Sequence, residues 1–459
     1  MKYCENVLEL IGQTPMVRLN RMADSSMATI LVKMEHLNPG GSVKDRMAYY
    51  MVKCAEEKGL IKPGATLVES TSGNTGLGLA MTAAVRGYRS VFTIPDKMSK
   101  EKIDMLKAYG AEVVVTKTDL EHDHPDSYVE VAKRIARETP NAFYTDQYYN
   151  MDNPHAHYLT TGPEIWADTD GTIDCFVGGI GTGGTISGAG KYLKEKAAEA
   201  KRELCIVCPD PHGSIYYDLF HKREPGPPSI YRVEGIGHDF MVGTLDFSVI
   251  DEVLQVSDRD TFLTARRLVR EEGIFAGASA GTALFGALKV AKELGPGKLI
   301  VVIIPDSGDR YISKCFDDEW MKDLGYLGLD ERLGSVRDIL KFKGSHVDFA
   351  SSDESLANVA KRMKELGISQ MPVKTANGGP HLMVHETDIL SALIQGRCKA
   401  DDSVLGAAAH LEGEVGLDDP LSRVQTIFDK NNMAVVVDHE QIVGIIGEID
   451  VVEYLAARG

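Results

Sequence analysis

Residues 174–190 read DCFVGGIGTGGTISGAG, and the order of chemistry along this stretch decides the fold class. A short apolar run, a cluster of glycines and a run of small residues follow one another, as expected for a strand, a tight loop and a helix start in an α/β sheet. Gly181, Thr182, Gly183, Gly184 and Thr185 concentrate backbone amides and two hydroxyls at that helix start, which suits a terminal phosphate monoester better than a bridging pyrophosphate. Gly179, Gly181 and Gly184 also satisfy G-x-G-x-x-G, so a nicotinamide-dependent dehydrogenase is a competing reading, with Glu203 as the acidic ribose ligand.

Working outward, further apolar segments of strand length begin at residues 30, 66, 90, 111, 204 and 298, giving seven with the one at 174. Helix-like stretches separate them, such as those from 45, 75 and 100, each closing on a glycine. This alternation predicts mostly parallel sheets covered on both faces, filling residues 1–325 and carrying their chemistry in loops at the strand ends. The C-x-x-C at Cys205 and Cys208 lies in the run LCIVCP and is read as buried strand, not as a redox pair.

Three other segments carry chemistry. In GGSVKDR, Lys44 stands just after a Gly-Gly turn at a helix start, where the helix dipole favours a neutral, nucleophilic amine; a solvated lysine beside Asp45 is the plainer alternative. In TSGNTG, Gly73 and Gly76 permit a tight turn, and Ser72, Asn74 and Thr75 offer short polar side chains to a carboxylate. In PDSGDRY, Asp306, Ser307 and Asp309 follow a buried strand at its carboxyl end.

The whole chain of 459 residues carries 67 acidic against 50 basic side chains, a net charge of −17 that repels phosphate backbones and anionic membrane surfaces. No apolar run reaches the length of a spanning helix, and the start MKYCENVLELIG places Glu5 and Glu9 where a signal peptide needs an apolar core. Together with seven cysteines that make no framework, this predicts a cytoplasmic protein with reduced thiols.

Beyond a glycine-rich linker at 326–333 the texture changes to two similar segments, 334–397 and 398–459. Each holds an amphipathic helix, a strand, a turn, a second strand and a closing helix after an aspartate, Asp388 or Asp450. A non-catalytic nucleotide sensor built on this repeat would leave residues 1–325 unexplained.

The four motifs GGSVKDR, TSGNTG, GTGGT and PDSGDRY, in that order, resemble the fold-type-II pyridoxal-phosphate enzymes of the cysteine synthase and cystathionine β-synthase family over residues 1–325. The tandem repeat resembles a pair of CBS modules. The likeness implies two open, mostly parallel α/β subdomains followed by an α+β module pair. It further implies that Lys44 holds pyridoxal phosphate as a Schiff base and moves the α-proton, that Asn74 bonds the ring hydroxyl, that Gly181 to Thr185 hold the phosphate, and that Ser307 faces the pyridine nitrogen. Thr71, Ser72, Thr75 and Gln147 would receive the amino-acid carboxylate, with Tyr148 and Gly235 beside the second substrate. The implied reaction is β-replacement: serine with homocysteine giving cystathionine and water, with hydrogen sulfide a further product, or alternatively O-acetylserine with sulfide.

Asp146-Gln147-Tyr148 and the module pair favour the serine reading, while EGIGHDF places His238 where that branch has tyrosine. The catalytic unit starts almost at Met1, so the haem-binding segment of animal forms is not expected. Adenosyl-binding modules want a hydroxyl three residues before their aspartate; here His385 and Gly447 stand there, so S-adenosylmethionine binding is not expected and a structural or dimer-forming role fits the pair equally well. The H-x-H pairs His122/His124 and His155/His157 lack acidic or thiol partners at ligand spacing, so no metal is expected. A homodimer or higher homo-oligomer acting on small amino acids is the implied assembly.

Overall fold

The glycine loop within 174–190 follows a strand of one of two mostly parallel sheets. The computed structural model describes residues 3–71, 73–96, 98, 100–117, 124–327, 333–374, 382–410, 413–428, 433–438 and 441–457; Ser72, His122 and positions 328–332 of the expected linker lie outside them. The chain divides into two units, Met1–Asp317 and Asp318–Gly459.

In the first unit a six-stranded sheet is built from β1 (Met16–Arg18), β2 (Thr29–Met34), β7 (Cys175–Val177), β8 (Cys205–Pro211), β9 (Glu252–Val256) and β10 (Leu299–Ile304), in the order β1-β2-β10-β7-β8-β9. A four-stranded sheet holds β3 (Thr66–Ser70), β4 (Arg89–Pro95), β5 (Glu112–Thr116) and β6 (Ala142–Tyr144), in the order β5-β4-β3-β6. All neighbours run parallel except β1 against β2.

Period-two alternation divides the apolar side chains of the larger sheet between two cores. Val177 and Val302 enter one with the small residues Ala280, Ala283, Ala287 and Ala291 of the helix Ala278–Leu294, while Phe176, Val301 and Ile303 enter the other with Ile186 and Leu193. β3 is buried at every position, as a central strand covered on both faces must be. The run containing Cys205 and Cys208 is β8, with Cys208 fully buried.

Three strands escape the pattern reading. β1 and β6 have three residues each, too few to display a period, and β9 lies at a sheet edge with Glu252 and Leu254 only partly covered and Gln255 exposed. The loops that carry the motifs all follow carboxyl ends of strands: TSGNTG after β3, GTGGT after β7 and PDSGDRY after β10.

In the second unit the repeat is visible as two antiparallel pairs, Gln370–Lys374 with Leu382–His385 and Ala434–Asp438 with Gln441–Ile446. The two halves exchange their opening elements. Val336, Ile339 and Leu340 of the helix Val336–Lys343 enter the core around Val424, Val436 and Ile446. Val404 and Ala407 join the core of Leu356, Met371 and Ile389, and strand Ala409–His410 pairs with Leu382–His385. Each half is thus completed by a segment the linear repeat assigns to the other. The aspartates also sit inside the closing helices Glu386–Ile394 and Glu448–Ala456, not before them. Asp450 accepts a bond from Gly447 N–H (2.7 Å) and so caps its own helix.

Because Ile339 is fully buried in the core of the second repeat, Ile339→Ala is expected to destabilise the C-terminal unit by about 2–4 kcal/mol, read as a lowered calorimetric transition. An unshifted transition would contradict the exchanged packing.

Candidate active site

Lys44 is the first residue of helix α1 (Lys44–Glu57), and its amine approaches the glycine loop: a Cβ built on Gly181 would lie 3.8 Å from Lys44 Nζ. Burial lowers the affinity of this amine for its proton, with the charge of Asp306 opposing. The amine therefore reaches its nucleophilic form more readily than a solvated lysine. Asp45 does not pair with it. That carboxyl is buried, accepts a bond from Gly40 N–H at 2.6 Å, and is pushed up to about 7 by burial, against the pull of Gly40 N–H and Arg310.

The backbone around Lys44 is bound to the end of β10. Val43 N–H donates to Pro305 O (2.8 Å) and Ser307 N–H to Gly41 O (3.2 Å), so the lysine loop and the half-buried Ser307 are held together. Asn74 opens helix α2 (Asn74–Arg86) from the other sheet; its Nδ2 donates to Asp306 Oδ2 (2.8 Å) and its Oδ1 accepts from Arg310. Tyr311 adds a 2.6 Å bond to the same Asp306 oxygen, and Arg310 also donates to Gly40 O.

The glycine loop passes Lys44 on the other side. Gly183 has φ +83° and precedes the helix Gly184–Glu199. Thr182 Oγ1 accepts from Asn153 Nδ2 (2.9 Å), while Thr185 Oγ1 contacts His157 Nε2 (3.2 Å), whose Nδ1 contacts Thr161 Oγ1 (2.8 Å). Burial, reinforced by Arg46, pushes His157 down to about 3, so the ring is neutral between two hydroxyls. His155 points instead to Tyr50 Oη.

A Cβ on Gly181 would meet Gly235 O at 2.4 Å and one on Gly184 would meet Asn153 Oδ1 at 1.9 Å, so only glycine allows this backbone to close. Lys44, Gly181, Thr182, Gly183, Thr185 and Gly235 line one cavity. A glycine-rich helix N-terminus, two hydroxyls and an adjacent buried amine fit a ligand that carries both a phosphate and a carbonyl.

The remaining expected residues divide. Thr75 Oγ1 donates to Gln147 Oε1 (2.6 Å), and Thr71 Oγ1 accepts from Gly73 and Gly76 N–H (3.1 and 3.3 Å), so these three surround one loop. Tyr148 is packed into the apolar core, edge-on to His238 and Phe240 at 5.2 and 5.4 Å. Glu203 precedes β8, at the end of the sheet opposite the glycine loop, because Cys205 pairs with Cys175 at the start of β7. A ribose held at that loop is out of its reach, which removes the dehydrogenase reading.

Several site contacts have no local signal in the sequence. Arg310 and Asp306, the latter already marked in PDSGDRY, act on Asn74 from more than 230 positions away, and Asn153 reaches the glycine loop from 29. Glu234, beside Gly235, forms ion pairs with both Lys102 and Lys314, and Lys102 lies over the Tyr311 ring at 5.2 Å. For Arg310 the place in PDSGDRY is the one available hint.

A lysine at a helix start, beside a glycine loop in a unit of two mostly parallel sheets, is the arrangement expected of a pyridoxal-phosphate enzyme. Residues 7–306 match the family model for pyridoxal-phosphate dependent enzymes, and residues 336–395 and 415–457 match the CBS domain. The chain is 35% identical to cystathionine β-synthase of Dictyostelium discoideum, with 98% of this chain and 92% of that protein covered. It is 43% identical to cysteine synthase of Staphylococcus aureus, over 69% of this chain and 99% of that protein. Among solved structures, the O-acetylserine dependent cystathionine β-synthase of Helicobacter pylori is similar with a TM-score of 0.63 at 34% identity, covering 68% of this chain and 99% of that one. The chain belongs to the pyridoxal-phosphate dependent enzymes, and within them to the cystathionine β-synthase family with a C-terminal CBS pair.

Gly181→Ala is expected to leave the sheets folded while the purified protein loses most of its bound cofactor, measured as visible absorbance per chain. Retention of wild-type absorbance would show that the loop closes differently.

Proposed function

We propose that this chain condenses L-serine with L-homocysteine to cystathionine and water, with Lys44 as the catalytic residue. The observation that carries the reading is the seating of the buried Lys44 amine against the Gly181 loop, in a chain whose likeness to cystathionine β-synthases runs through both units. Release of hydrogen sulfide follows if a second thiol-bearing amino acid replaces serine as the source of the β-substituent.

When bound, pyridoxal phosphate supplies the electron sink that lets an amino acid lose its α-proton and its β-substituent. Lys44 Nζ would tether the cofactor. Gly181 to Thr185 would hold its phosphate, with His157 and Asn153 fixing the two threonine hydroxyls. Asn74, its amide oriented by Asp306 and Arg310, would meet the ring hydroxyl. Ser307 would face the ring nitrogen; a neutral hydroxyl there does not enforce protonation as a carboxylate would, which favours loss of a β-substituent over transamination.

Thr71, Ser72, Thr75 and Gln147 would hold the serine carboxylate. Lys44 Nζ then takes the α-proton, and as an ammonium it can return a proton to the departing β-hydroxyl, since hydroxide needs an acid where acetate does not. The C–O bond breaks and water leaves with that proton; the thiol then gives its proton to Lys44 Nζ as its sulfur forms the C–S bond, and Lys44 returns this proton to the α-carbon. Gly235, and Tyr148 through its packing on His238, would border the thiol substrate.

The cysteine synthase reading is the alternative, favoured by the 43% identity of the catalytic unit to the Staphylococcus aureus enzyme. That likeness stops short of the CBS pair.

Small amino acids are the partners proposed, and no helix among the described residues is long and apolar enough to cross a membrane. Self-association is supported by the exposed face of Leu390, Leu393 and Ile394 on one helix of the second unit. S-adenosylmethionine is not proposed as a ligand. Gly447 and His385 lack the hydroxyl the pattern wants, and Asp450 is engaged by Gly447 N–H and by an ion pair with Lys343.

Lys44→Ala is expected to remain folded and to lose turnover by roughly a factor of 1,000 or more, because no second group there both tethers the cofactor and moves the α-proton. Near-normal turnover would end the assignment.

Serine with homocysteine is expected to exceed O-acetylserine with sulfide in specificity constant when all four substrate pairs are compared by product analysis. The reverse order would establish the cysteine synthase reading.

A further inference from the structure

Gln147 reaches its place through a strained turn, and the constraint on that turn is a buried acid. Asp146 has φ +52°, in the left-handed region that a non-glycine residue occupies only when its surroundings hold it there. The residues on either side are bound to one carboxylate oxygen. Thr145 Oγ1 donates to Glu69 Oε2 at 2.5 Å, and Gln147 N–H donates to the same atom at 3.0 Å. The other oxygen accepts from Ser70 N–H (2.9 Å) and Ser70 Oγ (3.3 Å), at the last residue of β3 before the loop that leads to Asn74.

Glu69 is fully buried near the end of β3, and its partners are neutral donors from its own strand and from the turn after β6. Burial pushes its carboxyl up to about 7, against the pull of Thr145 and of Gln147 and Ser70 N–H. With its backbone set, the Gln147 side chain is bound at both ends: Nε2 donates to Ser70 O (3.0 Å) and Oε1 accepts from Thr75 (2.6 Å). Its carbonyl is held in turn by Asn153, the residue that also holds Thr182 of the glycine loop.

We infer that Glu69 is a positioning residue for the amino-acid substrate: it locks the Thr145-Asp146-Gln147 turn and so sets the Gln147 amide beside Thr75, where the substrate carboxylate is received. This rests on the carboxylate role of Gln147 proposed above, and it holds whether the substrate is serine or O-acetylserine, since both carry the same α-carboxylate. A carboxylate suits the position because four donors converge on it; an amide would turn an NH2 group toward two of them. Among the described residues the hydrogen bonds of the Glu69 carboxylate go to Ser70, Thr145 and Gln147 and not to Lys44, Asn74 or Thr182 to Thr185, so the cofactor should be held without it.

The test is a double-mutant cycle on the holoenzyme. Glu69→Gln is expected to raise KM for the amino-acid substrate about tenfold, with kcat within about threefold and the cofactor's absorbance unchanged. In a Gln147→Ala background, Glu69→Gln should change KM by less than about twofold, because its effect passes through the missing amide. Should Glu69→Gln fail to fold, Thr145→Val removes the shortest donor and is read in the same cycle, with the same expectation at smaller size. Additive effects, an unchanged KM, or a loss of kcat and absorbance in parallel would each overturn the inference. A wild-type enzyme that converts neither serine nor O-acetylserine would instead refute the proposed function, and that assay is run first.

Discussion

Asp306 is the constraint on which the site depends. Fully covered at the end of β10, it receives Asn74 from the smaller sheet and Tyr311 from its own loop, while its backbone carbonyl accepts from Gly277 N–H at 2.9 Å. One residue thus binds three chain segments, two through its carboxylate and one through its backbone, and through Arg310, shared by Asn74 and Gly40 O, the lysine loop becomes a fourth. Hydrogen bonds to an ionised group are about twice as strong as neutral ones. Removing such a group would leave buried donors unpaired, which costs more than the bonds contribute.

Beneath α1 a second charged network fixes the helix that carries Lys44. Arg46, two residues on, is buried against Glu35 (2.7 Å) and Glu164 (2.6 Å), and the fully buried Lys33 joins through Glu164 (3.0 Å) and Thr14 O (2.6 Å). Burial works against the charge on Glu35, but Arg46, Thr14 and Asn38 outweigh it and bring its carboxyl down to about 2. A buried network of this kind is weak evidence for stability. Its effect here is geometric: the guanidinium leaves α1 one rotational setting, and the amine at the start of the helix inherits it.

The C-terminal unit follows a different logic. Its two halves are alike in sequence, yet neither closes its core alone, because each takes its opening element from the other. A helix of eight residues, Val336–Lys343, has an apolar stripe too short to be stable by itself and must be buried. The engagement of Asp450 with Gly447 and Lys343 belongs to the same economy of short helices, where a polar side chain near a terminus serves as a cap.

The class of fold and the places of the loops that carry Lys44, Asn74 and Gly181 were legible in the chain, because each depends on a few neighbouring residues whose chemistry is local: glycines for close backbone approach, small hydroxyls at a helix start, β-branched runs for covered strands. What the chain order could not disclose are the contacts that cross from one sheet to the other. Asp306 and Arg310 on Asn74, Asn153 on Thr182, His157 on Thr185 and Glu69 beneath Gln147 join residues tens to hundreds of positions apart. The exchange of elements between the two repeats belongs with them, since a repeat read along the chain assigns each helix to its nearest neighbour. Local conformational preference is written residue by residue, whereas the pairing of a buried polar atom is settled only when packing removes water and leaves it one partner.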